Sequence, residues 1–241
     1  MFPKTNNFFL DILFPISCLS CNEPDDWLCP ECLAKIPLKM EQVCPICEKN
    51  ITPDGRVCFS CQKKSQLEGL LVASTYQNKV VANAVHYFKY RFIENLSAPL
   101  GKIMIKSFWE SSLSLPDAII PVPLHKRRLR WRGFNQASLI ANYLSHNLAP
   151  GLKIAVLHEA LARNRYTHPQ MEIKDYSRRK NNMENAFGVK DKVNIKGKSI
   201  LLVDDIATTG STLFECAKVL KKNGAKEVFA VVIARQEIKK K

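Results

Sequence analysis

Eight cysteines near the start of the chain form four Cys-x-x-Cys pairs, and each pair can bind a metal ion through two thiolates. The pairs are Cys18/Cys21, Cys29/Cys32, Cys44/Cys47 and Cys58/Cys61. Zinc prefers four soft ligands in a tetrahedron, so eight thiolates make two complete sites. This segment has few apolar residues with which to form its own core, so we expect metal to stabilise it.

Disulfides and an iron–sulfur cluster are the alternatives for these cysteines. A reducing compartment disfavours disulfides, and the spacings fit the ligand runs of iron–sulfur clusters less well. Which pairs share a metal is left open: sequential pairing is simplest, and crossed pairing remains an alternative. The ninth cysteine, Cys216, lies on a predicted helix and is interpreted as a small core residue.

A second group of polar residues follows the apolar run at residues 199–203. Two carboxylates, Asp204 and Asp205, precede a loop rich in Thr, Gly and Ser that leads into a predicted helix. Ligands of parallel sheets bind at the carboxyl ends of strands, and helix N-termini attract phosphate. The carboxylates suit ribose hydroxyls and the loop suits a 5′-phosphate, whereas an ordinary strand-to-helix turn is the alternative. The predicted phosphate-binding residues are Ala207, Thr208, Thr209, Gly210, Ser211 and Thr212.

The net charge of +14 is unevenly distributed along the 241 residues. Residues 1–61 carry 5 basic and 8 acidic side chains, whereas residues 62–241 carry 31 and 14. Cations that follow phosphates and aromatic rings that stack on bases would suit single-stranded DNA. An anionic small molecule and solvated surface lysines are the alternatives. The candidate nucleic-acid residues are Arg128, Arg130, Trp131, Arg132, Arg178 and Arg179.

Apolar runs alternate with helical patterns in the second part of the chain, which predicts an α/β fold with a parallel sheet flanked by helices. The predicted strands are residues 70–76, 118–122, 157–162, 199–203 and 228–234. The predicted helices are residues 80–109, 135–148 and 211–222. The polar segment at residues 163–185 is too long for an ordinary connection, so we expect a functional or mobile loop.

No stretch approaches the roughly 18 apolar residues that a membrane span needs. The apolar run at residues 8–14 is short and contains Asp11, so it predicts a packed N-terminal helix rather than a signal peptide. We therefore expect a cytoplasmic protein with reduced thiols. A content of 46% hydrophobic and 24% charged residues excludes wholesale disorder. Two domains are expected, residues 1–65 with the cysteines and residues 66–241 with the sheet.

Residues 199–212 resemble the phosphoribosyl pyrophosphate loop of type I phosphoribosyltransferases. Three further segments, residues 121–125, 132–136 and 167–187, make the resemblance more specific within this superfamily. Together with the cysteine-rich start, they make nearly the whole chain resemble the ComF family of competence proteins. The resemblance implies a type I phosphoribosyltransferase fold behind a double zinc ribbon. It also implies a role in natural transformation and DNA uptake on the cytoplasmic side.

The resemblance further assigns roles to residues of this chain. Asp204 and Asp205 would be catalytic, and Mg²⁺ would accompany phosphoribosyl pyrophosphate. The turn at residues 123–127 would occupy the position of the pyrophosphate loop, and residues 163–187 would lie where relatives carry a mobile hood. The substrate-binding residues of that turn would be His125, Lys126 and Arg127.

Several groups near this predicted site have weaker claims. Lys89 and Arg91 are weaker candidates for facing it, and a loop histidine bonded to backbone is the favoured interpretation of His125. Some purine-specific relatives carry an aspartate in the loop, where this chain has residues 207–209 without a carboxylate. No general base can be named, so the sequence supports ligand binding better than turnover.

The sequence alone leaves three candidate functions. The first is a phosphoribosyltransferase-like protein that binds phosphoribosyl pyrophosphate with Mg²⁺. The second is a single-stranded DNA-binding protein of the uptake machinery. The third is an adaptor whose zinc ribbons dock a competence helicase-like protein.

Overall fold

The computed structural model describes residues 16–165, 186–190 and 193–236. Within these residues, a five-stranded sheet has the order β1-β7-β6-β2-β3 with every pairing parallel. Two further strands, β4 and β5, form an antiparallel pair. The strands are β1 Gly69–Thr75, β2 Ala118–Pro121, β3 Ala155–Val156, β4 Leu161–Arg163, β5 Phe187–Val189, β6 Ser199–Ala207 and β7 Glu227–Arg235.

Helices cover both faces of the sheet, as the alternating pattern predicts. Among the described residues the α-helices are α1 Pro30–Ala34, α2 Lys79–Tyr90, α3 Ser97–Trp109, α4 Lys126–Arg132, α5 Gln136–Asn147 and α6 Ser211–Lys222. Phe88, Leu100 and Ile140 from α2, α3 and α5 share one core with the sheet. Residues of α6 and of the β4–β5 pair share the second core, in which Cys216 is fully buried. The interpretation of Cys216 as a core residue is therefore confirmed.

Two predicted elements differ from the structure. The helix predicted over residues 80–109 is interrupted, because Phe92 adopts a left-handed conformation with φ 59°. Pro99 also lacks the N–H that a continuous helix would need, whereas it is tolerated in the first turn of α3. The single strand predicted over residues 157–162 is wrong: the chain turns after β3, and β4 belongs to the second, antiparallel pair.

Residues 37–57, which we call the ribbon region, cover the outer side of β1, which is an edge strand of the sheet. The side-chain amide of Gln42 accepts a hydrogen bond from the N–H of Val72 at 3.1 Å and donates one to its carbonyl at 3.0 Å. The backbone N–H of Lys39 donates to the carbonyl of Ala73 at 3.0 Å. Backbone groups that an open edge would expose are therefore paired within the chain.

Other expectations concern parts that lie outside the described residues. The N-terminal helix expected at residues 8–14 is one, and most of the loop at residues 163–185 is another. Within the part of the chain that the structure describes, no helix combines the length and apolarity required to cross a bilayer.

Candidate functional site

The cysteines form two groups of four, and the pairing is sequential. We call Cys18, Cys21, Cys29 and Cys32 the first cluster and Cys44, Cys47, Cys58 and Cys61 the second cluster. Within each cluster the four sulfur atoms lie within 4.8 Å of one another. No two of the nine cysteines are joined by a disulfide bond, so the structure contradicts the disulfide alternative. The crossed alternative for the metal sites is also excluded.

The sulfur–sulfur separations fit zinc. Cys21 Sγ and Cys29 Sγ are 3.6 Å apart, and Cys47 Sγ and Cys58 Sγ are 3.9 Å apart. A tetrahedron with Zn–S bonds of about 2.3 Å has edges of about 3.8 Å, whereas a disulfide would need about 2.05 Å. The donor set and its spacing therefore match two structural zinc sites.

The two clusters are built in the same way from local structure. The first pair of each cluster closes a turn with a left-handed residue, Asn22 at φ 64° and Glu48 at φ 56°. The second pair of each cluster lies on a helical turn, which begins after Cys29 or Cys58. Burial differs, because Cys18 and Cys29 belong to the core beneath α2 and α3, whereas Cys44 and Cys61 belong to a small separate core.

The loop of residues 207–212 lies where the connections on the two sides of the sheet diverge. From β2 the chain passes through α5 to β3, whereas from β6 it passes through α6 to β7 on the other side. The pairing of β2 with β6 ends at Pro121 and Val203, just before the two aspartates. Crevices at such switch points are the usual ligand sites of open α/β sheets.

The 207–212 loop is shaped by a left-handed glycine and by hydrogen bonds among its own residues. Gly210 has φ 79° and immediately precedes α6, a helix of 12 residues. The hydroxyls of Thr209 and Ser211 share a hydrogen bond of 2.9 Å, and the backbone N–H of Ser211 donates to Thr209 Oγ1 at 3.3 Å. A Cβ at position 210 would lie 3.1 Å from the ring of Phe214 and would be strained at this φ.

The two aspartates have different electrostatic surroundings. Lys89 Nζ on α2 lies 2.9 Å from Asp205 Oδ1, and both side chains are largely buried. Of the two weaker candidates for facing this site, Lys89 contacts Asp205, whereas Arg91 is exposed. Burial raises the pKa of Asp204 to about 7; the charge of Asp205 adds to this effect, and Lys89 and Arg163 oppose it. Asp204 therefore holds its proton to a higher pH than an ordinary aspartate does.

His125 is the N-cap of α4. Its Nδ1 accepts a hydrogen bond from the backbone N–H of Arg127 at 3.2 Å, as the favoured interpretation of this histidine expects. Burial lowers the pKa of His125, and Arg163 and the cations of α4 lower it further. The expectation of a turn over residues 123–127 needs correction, because the helix already begins at Lys126.

The basic residues of α4 lie beside exposed aromatic rings. Trp131 is 62% exposed, and with Tyr90 at 40% and Phe92 at 37% it forms what we call the aromatic patch. The rings of Phe92 and Trp131 meet edge to face at a centroid distance of 5.4 Å. The guanidinium of Arg132 lies 5.8 Å from the Tyr90 ring. Lys126, Arg127 and Arg130 are exposed, Arg128 is half-buried, and Arg178 and Arg179 lie outside the described residues.

Two arginines near the loop were not predicted from the sequence. Arg163 ends β4, and its charge acts on both His125 and Asp204. Arg235 ends β7, where its Nε donates to the carbonyl of Thr208 at 3.1 Å. Neither belongs to a local motif: Arg235 ends a strand of the parallel sheet, whereas Arg163 lies in the separate antiparallel pair, so no sequence pattern indicates either.

Comparisons with known proteins agree with this architecture. A phosphoribosyl transferase domain matches residues 132–241, and a double zinc ribbon domain matches residues 9–65. DNA utilization protein YhgH of Salmonella typhimurium is 30% identical over 222 residues, covering 89% of this chain and 94% of the relative. Competence protein F of Haemophilus influenzae is 30% identical over 231 residues, covering 92% and 98%. Competence protein ComFC of Bacillus subtilis is 28% identical, covering 84% and 81%.

Solved structures give more distant likenesses. The structure of the allosteric regulatory enzyme of purine biosynthesis aligns with 62% of this chain and 30% of its own, with 21% identity and a TM-score of 0.39. Purine phosphoribosyltransferase from Pyrococcus horikoshii aligns with 59% and 87%, with 18% identity and a TM-score of 0.34. Such likenesses say nothing about function. With both domains in this order and a relative 30% identical along nearly its whole length, the chain belongs to the ComF family of competence proteins.

Proposed function

We propose that this protein binds phosphoribosyl pyrophosphate with Mg²⁺ and acts in natural transformation and DNA uptake on the cytoplasmic side. The observation that carries the ligand is the acid pair followed by the 207–212 loop at the switch point of a parallel sheet. The competence role rests on the relatives, whose names refer to competence and to DNA utilization.

In this proposal different residues bind different groups of the ligand. The 207–212 loop and the N-terminus of α6 bind the 5′-phosphate, because backbone N–H groups there attract anions. Asp204 and Asp205 accept hydrogen bonds from the ribose hydroxyls. Mg²⁺, when bound, neutralises the pyrophosphate. The cations Lys126 and Arg127, together with the neighbouring His125, contact the same group.

The test is a calorimetric titration of the full chain with phosphoribosyl pyrophosphate and MgCl₂. We expect saturable binding of phosphoribosyl pyrophosphate. Ribose 5-phosphate and pyrophosphate should each displace it only weakly, because each carries half of the recognised groups. Pyrophosphate release is followed in the same samples, with and without single-stranded DNA. Absence of binding at millimolar ligand would refute the proposal, and release of pyrophosphate would extend it to catalysis.

Ligand affinity should depend on pH through Asp204. Because its pKa is raised to about 7, this carboxyl binds a proton below that pH and then accepts hydroxyl hydrogen bonds poorly. Affinity should therefore rise with pH by up to about tenfold per unit below pH 7 and level off above it. Calorimetry from pH 5.5 to 8.5 measures this profile.

Asp204→Asn supplies the control for this profile. It keeps the titration of the ligand's own phosphate, which has a pKa of about 6, and removes that of Asp204. The difference between the two profiles should therefore be centred near pH 7, together with proton uptake or release on binding. Identical pH profiles for the two proteins would contradict the assignment.

A second candidate function, single-stranded DNA binding, is favoured by the aromatic patch beside α4. Trp131 is 62% exposed and has cationic neighbours on its own helix. Bases stack on such rings while arginines contact phosphates, and stacking contributes about 1–3 kcal/mol per base. The surface therefore combines the two elements that sequence-tolerant binding requires.

Trp131→Ala should weaken binding of oligo(dT) about tenfold, because one stacking platform is lost. The matched control is Trp109→Ala, which removes a 54% exposed tryptophan at the end of α3. Fluorescence anisotropy at several salt concentrations gives the affinities, and four phosphate contacts predict a log–log slope of about −3. A slope near zero, or equal effects of the two substitutions, would count against DNA binding.

Two further expectations remain proposals. We propose residues 1–65 and 66–241 as the two domains, a division that the ribbon and transferase matches support. Docking of a competence helicase-like protein by the ribbons is the third candidate role. Partner capture by the full chain, compared with a protein whose exposed Phe59 is replaced, would test that role.

A further inference from the structure

Arg235 joins the 207–212 loop to the second zinc ribbon, residues 43–64. On the loop side, its guanidinium donates to the carbonyl of Thr208 at 3.1 Å and to that of Thr209 at 3.5 Å. On the ribbon side, Nη2 donates to the carbonyl of Pro45 at 3.1 Å and to Glu48 Oε1 at 2.7 Å. One largely buried side chain therefore contacts both units.

The ribbon contacts depend on the geometry of the second cluster. Pro45 lies between Cys44 and Cys47, and Glu48 follows Cys47 directly. The N–H of Glu48 donates to the carbonyl of Cys44 at 2.9 Å, which closes the turn that presents both thiolates. A metal ion that fixes these thiolates therefore also fixes the two groups that Arg235 contacts.

The loop contacts determine which way the loop amides point. In a trans peptide the C=O and N–H groups are directed oppositely across one plane. The carbonyls of Thr208 and Thr209 face Arg235, so the N–H groups of Thr209 and Gly210 in the same planes face away from it. A guanidinium that binds two successive carbonyls thus orients two successive N–H groups for an anion on the other side.

We propose that the second zinc ribbon controls phosphate binding at the 207–212 loop through Arg235, so that bound zinc and bound phosphate favour each other. This inference rests on the proposed binding of phosphoribosyl pyrophosphate. Arg235 and Glu48 are positioning residues, since they act on the loop and not on the ligand. Coupling of two binding sites is reciprocal, so the effect must be measurable from either end.

The first measurement is ligand affinity by calorimetry on the full, zinc-loaded chain. Glu48→Ala and Arg235→Met should each weaken binding of phosphoribosyl pyrophosphate with Mg²⁺ about tenfold, while two zinc ions remain bound. The matched control is Glu68→Ala, which removes an ion pair of similar length, 2.9 Å to Lys221, at the other end of the paired strands β1 and β7. The control should bind ligand within twofold of the unmodified protein.

The second measurement is the rate of zinc release to a chromophoric chelator. Saturating ligand should slow the release of one of the two zinc ions about fivefold and leave the other unchanged. Glu48→Ala should abolish this protection, whereas Glu68→Ala should retain it. A purely structural role for Glu48 would not remove a ligand-dependent change in the release of zinc.

The outcomes separate this inference from the proposed function. If the unmodified protein binds ligand and both Glu48→Ala and Arg235→Met bind it equally well, the coupling is refuted and the function stands. If the unmodified protein binds no ligand, the function fails. Amide exchange in residues 207–212 then decides the coupling: faster exchange in Glu48→Ala than in Glu68→Ala supports it, and equal exchange refutes it.

Discussion

Cys18→Ser should abolish binding of one zinc ion and destabilise the entire fold, not only the ribbon. Cys18 and Cys29 share the main core with Phe88 and Leu100 of α2 and α3. Structural zinc contributes about 10–16 kcal/mol in small zinc domains, whereas whole domains are stable by only about 5–15 kcal/mol. Loss of this metal should therefore leave the protein largely unfolded at 25 °C, with little or no cooperative transition on heating. Thermal circular dichroism and zinc analysis by mass spectrometry measure both effects.

Cys216→Ala is the matched control for the first prediction. Cys216 is equally buried but belongs to the core beneath α6, away from either cluster. Truncating this thiol should cost about 1–2 kcal/mol and leave two zinc ions per chain. If Cys18→Ser still bound two zinc ions, or had the same melting temperature as Cys216→Ala, the dependence of the core on the metal would be disproved.

Asp205→Asn should weaken binding of phosphoribosyl pyrophosphate with Mg²⁺ about a hundredfold. Hydrogen bonds to a charged group are worth about 1.5–3 kcal/mol each, and the carboxylate of Asp205 is buried beside the loop. Two such bonds to ribose hydroxyls, partly replaced by the amide, give a loss of about 2.8 kcal/mol. Calorimetry at pH 8, where Asp204 is ionised, measures the change without interference from its titration.

Two further variants separate binding from folding. Asp117→Asn is the matched control, because Asp117 accepts a hydrogen bond from the N–H of Ser199 at the other end of β6. It should leave ligand affinity unchanged. Asp205→Asn also leaves the ammonium of Lys89 without its partner, so the double variant with Lys89→Met should recover stability but not affinity. Tight binding by Asp205→Asn would overturn the role assigned to this carboxylate.

Features encoded over a few neighbouring residues could be predicted from the sequence. The four cysteine pairs and the strand, loop and helix at residues 199–222 depend on short spacings, and α6 has the predicted bounds. The sequential pairing of the clusters had an open alternative, because the thiolates of one cluster come from segments whose approach only the fold decides. α4 was missed, since its five cations show no apolar stripe and its cap is a histidine.

Contacts between distant residues account for the rest. Arg235 and Glu48 are 187 residues apart in the chain, so no local pattern connects them. Lys89 could be suggested as facing the site, but its partner, Asp205, depends on how α2 crosses the end of β6. The break after α2 could have been anticipated from Pro99, whereas the left-handed Phe92 carries no signal in its residue type.

The covering of β1 by the ribbon region has a consequence for the order in which the protein folds during synthesis. β1 pairs with β7, the last of these strands to be translated, about 160 residues later. Its other side pairs with residues 37–57, which leave the ribosome before β1 does. A nascent β1 therefore meets the ribbon region first. In a cell short of zinc, β1 would emerge without either neighbour, and aggregation of incomplete chains would increase.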